Sequence, residues 1–292
     1  MISFNPYKKL WLEFYENRVA FLALLILIVL IVLSLLASII SPQDPYNLAE
    51  INILEGRLPP GTLSNDGYTY FLGTDDQGRD MLSAILYGLR ISLGVGVVSG
   101  LFAFILGLTV GLFAAYKGGK IDIIIMRFVD MQLSFPAILI ALILLTTLGR
   151  GTDKVIVALI ASQWVYYARV ARGTALTELK KEYIESAHCL NLSKFRIIFF
   201  QLLPNCLPPL IVVMTIEIGH AIALEATLSF LGVGLPITKP SLGLLISNGY
   251  EYMLYGKYWI SMFPGLALLL LILAINLVGD HLRDILNPRL RK

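Results

Sequence analysis

The chain has 292 residues, of which 57% are hydrophobic and only 15% are charged, and its mean hydropathy is +0.76. Soluble domains contain about 45–50% apolar and about 25% charged residues, so this composition excludes a disordered chain and disfavours a cytosolic enzyme. The net charge of +3 provides no basic surface of the kind that binds nucleic acid. The two cysteines, Cys189 and Cys206, exclude a disulfide scaffold and show no metal-ligand spacing.

The N-terminal third predicts an anchor helix followed by an irregular external loop. The uninterrupted apolar run 19–40 has 22 residues, whereas the apolar part of a signal peptide has about 7–15. A helix of this length crosses about 30 Å of hydrocarbon, so we expect a retained anchor after a short segment, 1–18. Residues 41–90 are rich in Pro, Gly, Asn and Asp, and their last part, 80–92, is predicted as a short amphipathic helix at the interface.

The remaining chain, 91–292, is predicted to hold five further spans. They are residues 91–116, 131–149, 155–168, 207–232 and 258–279. The third of these, with 14 residues, is by itself short enough to be a buried or re-entrant piece, and Pro136 and Pro264 are expected to kink their helices. Because lipid offers the backbone no hydrogen-bond partner, the fold class is an all-α membrane protein with six transmembrane helices.

The distribution of basic residues gives the expected orientation. With six spans and both termini in the cytoplasm, 16 of the 23 Lys and Arg residues fall on the inner side and 7 on the outer side. Such an excess belongs on the cytoplasmic face. Without the short span 155–168, the basic residues of 117–127 and those of 169–196 would lie on opposite sides of the membrane, so the distribution favours this span.

Four glycines of the second span share one helical face. They are Gly96, Gly100, Gly107 and Gly111. Their two GxxxG pairs allow helix backbones to approach closely in lipid. The pattern fits internal helix packing or a seam with another subunit, and the spacing leaves both open.

Three ionisable residues interrupt the fifth span: Glu217, His220 and Glu225. Charges at membrane depth usually face a cavity or a partner, and Glu217 and His220 are i,i+3 neighbours on a helix. One hypothesis is that they line a polar pathway. The alternatives are a structural hydrogen-bonded cluster between helices or an interfacial position for Glu225.

The only sizeable inner loop, 173–204, is predicted to fold into two short helices. Residues 178–190 contain good helix formers, and Asn191 after them tolerates left-handed backbone geometry. Ser193 can cap a second helix over 194–202. Two short helices with a hinge suit docking in a groove of a partner, although a plain surface hairpin has the same pattern.

Residues 182–205 (EYIESAHCLNLSKFRIIFFQLLPN) resemble the cytoplasmic EAA loop of ABC importer permeases. The resemblance is closest to the oligopeptide/dipeptide/nickel permease family, in its C-type subunit. Further matching stretches follow in order: FLGTDDQGRDMLSAILYGLRISL (71–93), YKGGKIDIIIMRFVDMQLSFP (116–136), ARVARGTAL (168–176), EATLSFLGVG (225–234) and NLVGDHLRDILNPRLR (276–291). The first 70 residues are similar in plan only.

The resemblance implies a type I ABC importer transmembrane domain with cytoplasmic EAA coupling helices. By position, Glu185, Ser186 and Ala187 occupy the E-A-A places, with serine for the middle alanine. Asn191 stands where the family has glycine, a replacement that keeps positive φ accessible. Pro204 ends the second short helix or begins the next span. The residues expected to couple the chain to an ATPase are Tyr183, Glu185, Ser186, Ala187, Asn191, Leu203 and Pro204.

The chain has no motif for binding ATP itself. Gly119-Lys120 precedes Ile121 and Gly256-Lys257 precedes Tyr258, so neither pair belongs to a phosphate-binding loop. No catalytic or metal-binding motif is present in the sequence. The resemblance implies that ATP and Mg²⁺ are held by two separate ABC ATPase subunits. It also implies a homologous B-type permease subunit, an external substrate-binding protein, and a location in the bacterial cytoplasmic (inner) membrane.

Short peptides are the cargo that the resemblance favours, and nickel or other metal chelates, glutathione and peptide-like antibiotics stay open. Two other classes compete with an importer subunit. A self-contained secondary carrier normally shows paired halves or discontinuous helices. An intramembrane enzyme needs a nucleophile–base or metal constellation, whereas the three histidines, His188, His220 and His281, fall in different regions.

Overall fold

The computed structural model describes residues 14–47, 50–65, 67–236 and 238–286. The predicted cytoplasmic segment 1–18 therefore lies largely outside the described residues, as does the C-terminal piece 287–292. The helices are α1 (Arg18–Leu35), α2 (Ala37–Ile40), α3 (Met81–Lys117), α4 (Gly119–Leu133), α5 (Ala137–Leu148), α6 (Thr152–Glu178), α7 (Glu182–Cys189), α8 (Lys194–Phe230), α9 (Leu242–Tyr250) and α10 (Trp259–Leu286).

The fold is an all-α membrane bundle, as predicted, but the count of six spans is not exact. In the part of the chain that the structure describes, α1, α3, α8 and α10 are long and apolar enough to cross a membrane. The bent pair α4 and α5 provides a fifth crossing if it is counted as one span. The one remaining predicted span, 155–168, lies in α6, which has 27 residues. Polar and charged side chains keep the mean hydropathy of α6 below that of the spanning helices.

The predicted span 131–149 is broken at Pro136. α4 ends at Leu133, α5 begins at Ala137, and the two helices meet at an angle of 88°. Proline has no N–H for a helical hydrogen bond and disfavours helical geometry in the preceding residue, so the apolar run turns here. By contrast, α10 continues through Pro264.

The predicted interfacial helix 80–92 does not form a separate element. It is the beginning of α3, whose side-chain cap is Asp80, and it continues without a break into the spanning part. Met81, Ala84 and Leu89 are buried in a cluster with Trp259 of α10. Because these apolar side chains pack into the bundle, the segment rises from the interface and joins the span.

The segment 41–80 forms a small cap on one end of the bundle. It contains a 3₁₀ turn at Ile53–Glu55 and two short antiparallel strands, β1 (Thr62–Leu63) and β2 (Thr69–Tyr70), with Thr62 opposite Tyr70. The cap is tied to α10 by the indole N–H of Trp259, which donates to the Thr74 carbonyl at 3.2 Å.

The core of the bundle is built around α3, α6 and α8. α6 packs along α3, and α8 packs against α3, α6 and α10, while α1 lies against α10 and α3. The outer loop predicted from the sequence between α8 and α10 contains α9, whose buried residues Leu242 and Leu245 pack into the same core. This arrangement places the middle of α8 against the middle of α6, where the polar residues of both helices meet.

Candidate functional site

Helix α7 carries the E-A-A positions and presents one face to solvent. Ile184 and Ala187 are buried and pack against Ile197 at the start of α8. Glu185 and Ser186 are exposed on the opposite face. The packing fixes the helix on the bundle and leaves the carboxylate and hydroxyl side chains available to a partner.

The turn after α7 has the geometry that the sequence predicts. Asn191 has a φ of 52°, in the left-handed region that asparagine and glycine tolerate best. Its N–H donates to the His188 carbonyl at 2.9 Å, and the Leu192 N–H donates to the Ala187 carbonyl at 3.2 Å. The Ser193 side chain then accepts from the Arg196 N–H and caps the next helix, as expected.

The second short helix, predicted over 194–202, is in fact the first part of α8. A π-helical stretch, Ile197–Leu202, continues directly into Leu203–Phe230, and Pro204 does not end the helix. Just after this stretch the Asn205 side chain donates to the Gln201 carbonyl at 2.7 Å. Leu203 is half-buried and Pro204 is exposed.

A small polar cluster links α7 to the end of α6. The Tyr183 hydroxyl donates to Glu178 at 2.8 Å, and the Lys181 ammonium lies 2.7 Å from the other oxygen of the same carboxylate. Burial, and then the hydrogen bond to Glu178, raise the pKa of Tyr183 to about 12, so its hydroxyl keeps its proton at neutral pH. Tyr183 therefore positions α7 on the bundle.

Two ion pairs between α4 and α6 were not foreseen from the sequence. The Arg172 guanidinium donates to both oxygens of Asp122 at 2.6 and 2.5 Å, and Arg169 pairs with Asp130. The two carboxylates stand eight residues apart on α4, so the pairs join two helices over more than two turns. The only signal in the sequence was the presence of opposite charges at the ends of neighbouring predicted spans.

Glu217 and His220 line a cavity of about 350 Å³ between α5, α6 and α8. The His220 ring lies 3.5 Å from the Glu217 carboxylate, and the Gln163 side chain donates to the Glu217 carbonyl oxygen at 3.1 Å and to its carboxylate at 3.4 Å. The wall consists of Ala137, Gln163, Tyr166, Glu217, His220, Ala223, Leu224 and Thr227. These two of the three ionisable residues thus face a cavity, and Gln163 and Tyr166 are members that sequence reasoning missed.

Glu225 is separated from that cavity and belongs to a buried cluster. Its side chain is 0% exposed and accepts hydrogen bonds from the Ser92 hydroxyl at 2.9 Å and the Ser229 hydroxyl at 2.7 Å. The bond from Ser92 joins α8 to α3, and the bond from Ser229 lies within α8. For Glu225 the geometry fits the structural alternative.

The four glycines of α3 make contacts inside the chain. Gly96 and Gly100 face Ile222 and Ile218 of α8, and Gly107 and Gly111 face the backbone of α6. A Cβ at Gly107 would lie 2.8 Å from the Ala168 nitrogen and still closer to the Trp164 carbonyl oxygen. The geometry is that of internal helix packing.

Gly107→Ala is expected to destabilise the bundle by about 1–3 kcal/mol, because the added methyl group meets backbone atoms that cannot rotate away. Gly94→Ala is the matched control on the same helix, since a Cβ at Gly94 meets no atom within 4 Å. Thermal unfolding in detergent compares the two variants. Equal unfolding temperatures would contradict the close approach of α3 and α6.

Among the described residues, no group of three or more His, Cys, Asp or Glu side chains is arranged to hold a metal ion. The polar side chains of the cavity are a carboxylate, an imidazole, an amide, a phenol and a hydroxyl. Such a set can bind a polar or charged solute. The exposed face of α7 and this cavity are therefore the two candidate functional surfaces of the chain.

Comparisons with known proteins agree with this reading of the fold. The family described as "binding-protein-dependent transport system inner membrane component" matches residues 107–292, and the "N-terminal TM domain of oligopeptide transport permease C" matches residues 5–60. The chain is also similar to an inward-facing methionine ABC transporter, MetNI, with a TM-score of 0.58 and 23% identity, over 71% of this chain and 98% of that chain. This structural likeness concerns the fold alone.

Three curated relatives cover nearly the whole chain. A dipeptide transport system permease protein of Haemophilus influenzae is 37% identical over 99% of this chain and 96% of the relative. A di/tripeptide transport system permease protein of Pseudomonas aeruginosa is 34% identical over 98% and 93%. A glutathione transport system permease protein of Pectobacterium atrosepticum is 36% identical over 98% and 92%. Together with the family match over more than half of its length, these relatives show that the chain belongs to the binding-protein-dependent transport system inner membrane component family.

Proposed function

We propose that the chain is a membrane-spanning subunit of an ATP-driven importer that moves short peptides across the bacterial inner membrane. The observation that carries the proposal is the continuity of α8. One helix runs from the Ser193 cap beside α7 to the cavity around Glu217 and His220. A force applied to the exposed face of α7 therefore reaches the cavity through one continuous helix.

The proposed assembly contains what the chain itself lacks. Two ABC ATPase subunits hold ATP and Mg²⁺ and contact α7, a homologous B-type permease completes the pathway, and an external binding protein delivers the cargo. In this assembly both termini and the segment 182–204, called the coupling segment below, lie in the cytoplasm, which is supported by the excess of Lys and Arg on the inner side of the six predicted spans.

In the proposed cycle, closure of the ATPases displaces the coupling segment, and α8 tilts with it. Rigid-body movement of packed helices is an established way to switch a pathway from one side of a membrane to the other. Tyr183 and Glu178 tie α7 to α6, so α6 and α8, two of the three helices that line the cavity, move with the coupling segment. The cavity would then open alternately to each side.

Peptide cargo is supported by the names of the dipeptide and di/tripeptide relatives. Glutathione is the second candidate, because a relative named for glutathione transport is similar over nearly the same length. Nickel or metal chelates and peptide-like antibiotics are competing cargoes that a transport assay excludes directly.

Uptake by the importer purified from native membranes with its associated subunits tests the proposal. In proteoliposomes supplied with the binding protein, we expect ATP inside to drive accumulation of a radiolabelled dipeptide, and a nonhydrolysable ATP analogue to give none. Uptake driven by an ion gradient with this chain alone would indicate a secondary carrier and overturn the proposal. Accumulation of glutathione or of a nickel chelate in place of the dipeptide would reassign the cargo.

A further inference from the structure

One hydrogen-bond acceptor of the cavity wall, the side-chain oxygen of Gln163, lacks a donor from the described part of the chain. Gln163 is 2% exposed, and its amide nitrogen is already engaged with Glu217, whereas its carbonyl oxygen has no hydrogen-bond partner among the described residues. A buried polar atom without a partner costs on the order of 1–3 kcal/mol. In the same wall, the Glu217 carboxylate is largely buried, with a residue exposure of 7%.

The charge of the wall is also unbalanced. No Lys or Arg contributes to the lining, and His220 is the only member that can become cationic. The His220 side chain is 63% exposed, so it can move aside without losing buried packing. A carboxylate in a site of low dielectric binds a cation more strongly than it does in water. The wall thus lacks a stable positive charge, and one of its hydrogen-bond acceptors lacks a donor.

We propose that this cavity binds the α-ammonium group of a peptide during its passage, with the Glu217 carboxylate as counter-ion and the Gln163 carbonyl as a second acceptor. A primary ammonium has three N–H donors and one positive charge, which supplies both of the missing features. The inference rests on the proposed transport of peptides and names the part of the peptide that this chain recognises.

Protection of an engineered cysteine tests the site directly. We place Ala223→Cys in the cavity wall of a Cys189→Ser background, leave the buried Cys206 unchanged, and purify the complete importer without binding protein or nucleotide. The rate of modification by a charged maleimide is then measured with alanyl-alanine or with N-acetyl-alanyl-alanine at millimolar concentrations. We expect the free peptide to slow labelling about threefold and the acetylated peptide to leave it unchanged, because acetylation removes the charge.

Glu217→Gln should abolish this protection, because the amide keeps the shape of the side chain and loses its charge. Glu251→Gln, which removes an exposed carboxylate outside the cavity, is the matched control and should keep it. Thr227→Cys provides a second reporter in the same wall if the Ala223→Cys variant does not react. Equal protection by both peptides, protection that survives Glu217→Gln, or no protection at either reporter would overturn the inference. Loss of ATP-driven uptake in the wild-type importer would instead refute the proposed function.

Discussion

Asn191→Pro is expected to reduce peptide uptake on the order of tenfold or more while the chain still inserts and assembles. Proline fixes φ near −65° and has no N–H, whereas Asn191 has a φ of 52° and donates to the His188 carbonyl. The substitution therefore removes both the left-handed backbone conformation of the turn and one of its hydrogen bonds. ATP hydrolysis by the associated ATPases should continue without transport, which is measured by comparing phosphate release with uptake in the same proteoliposomes.

Asn191→Gly is the control that separates turn geometry from side-chain chemistry. Glycine adopts positive φ readily and keeps the N–H, so uptake should stay within about twofold of the wild type. Glu185→Lys, which changes only an exposed side chain, should also uncouple hydrolysis from uptake if α7 contacts the ATPase. Wild-type coupling in both Asn191→Pro and Glu185→Lys would contradict the role of the coupling segment.

The sequence predicts best those features whose cause is local. A left-handed turn at Asn191 and a cap at Ser193 follow from the chemistry of single residues, and the structure confirms both. The break at Pro136 has the same kind of cause. In each case the residue type restricts its own backbone, whatever the rest of the chain does.

Features that depend on distant residues could not be predicted. Gln163 meets Glu217 across 54 positions in sequence, and nothing in either segment indicates that the other is its neighbour. The same is true of Arg172 and Asp122. Six spans were inferred from apolar length, but the spanning segments also contain polar side chains that are satisfied by such contacts. For this reason hydropathy alone does not give the position of the cavity.

The course of α8 shows a second limit of sequence reasoning. A proline at position 204 predicts a helix boundary, because it removes one backbone donor. In the structure Pro204 lies in the first turn of the α-helical segment Leu203–Phe230, as expected of a proline that begins a span, but this segment follows the π-helical stretch without a break. The two short helices expected from the sequence are therefore one short helix, α7, and the beginning of the long helix α8. This difference matters for the proposed mechanism, because a continuous helix transmits displacement better than a hinge.

The largest expected effect on stability lies in the 41–80 cap, at the ion pair between Asp75 and Arg79. The two side chains are 0% and 1% exposed, and the guanidinium Nε lies 2.6 Å from the carboxylate. The other carboxylate oxygen accepts from the N–H groups of Gln77 and Arg79, both at 2.9 Å. Removing one member of a buried pair typically costs about 3–5 kcal/mol, since an uncompensated charge is left behind.

Asp75→Asn should therefore increase opening of the cap on the order of a hundredfold. The proposal places the cap outside, where trypsin added to right-side-out vesicles can cleave after Arg57, and the cleavage rate reports the open population. The double variant, Asp75→Asn with Arg79→Met, tests whether the ion pair is the cause, because it removes both charges. Its cap should open less, and be cleaved by trypsin more slowly, than the summed effects of the two single variants predict. Additive effects, or a wild-type cleavage rate in Asp75→Asn, would show that the pair does not hold the cap on the bundle.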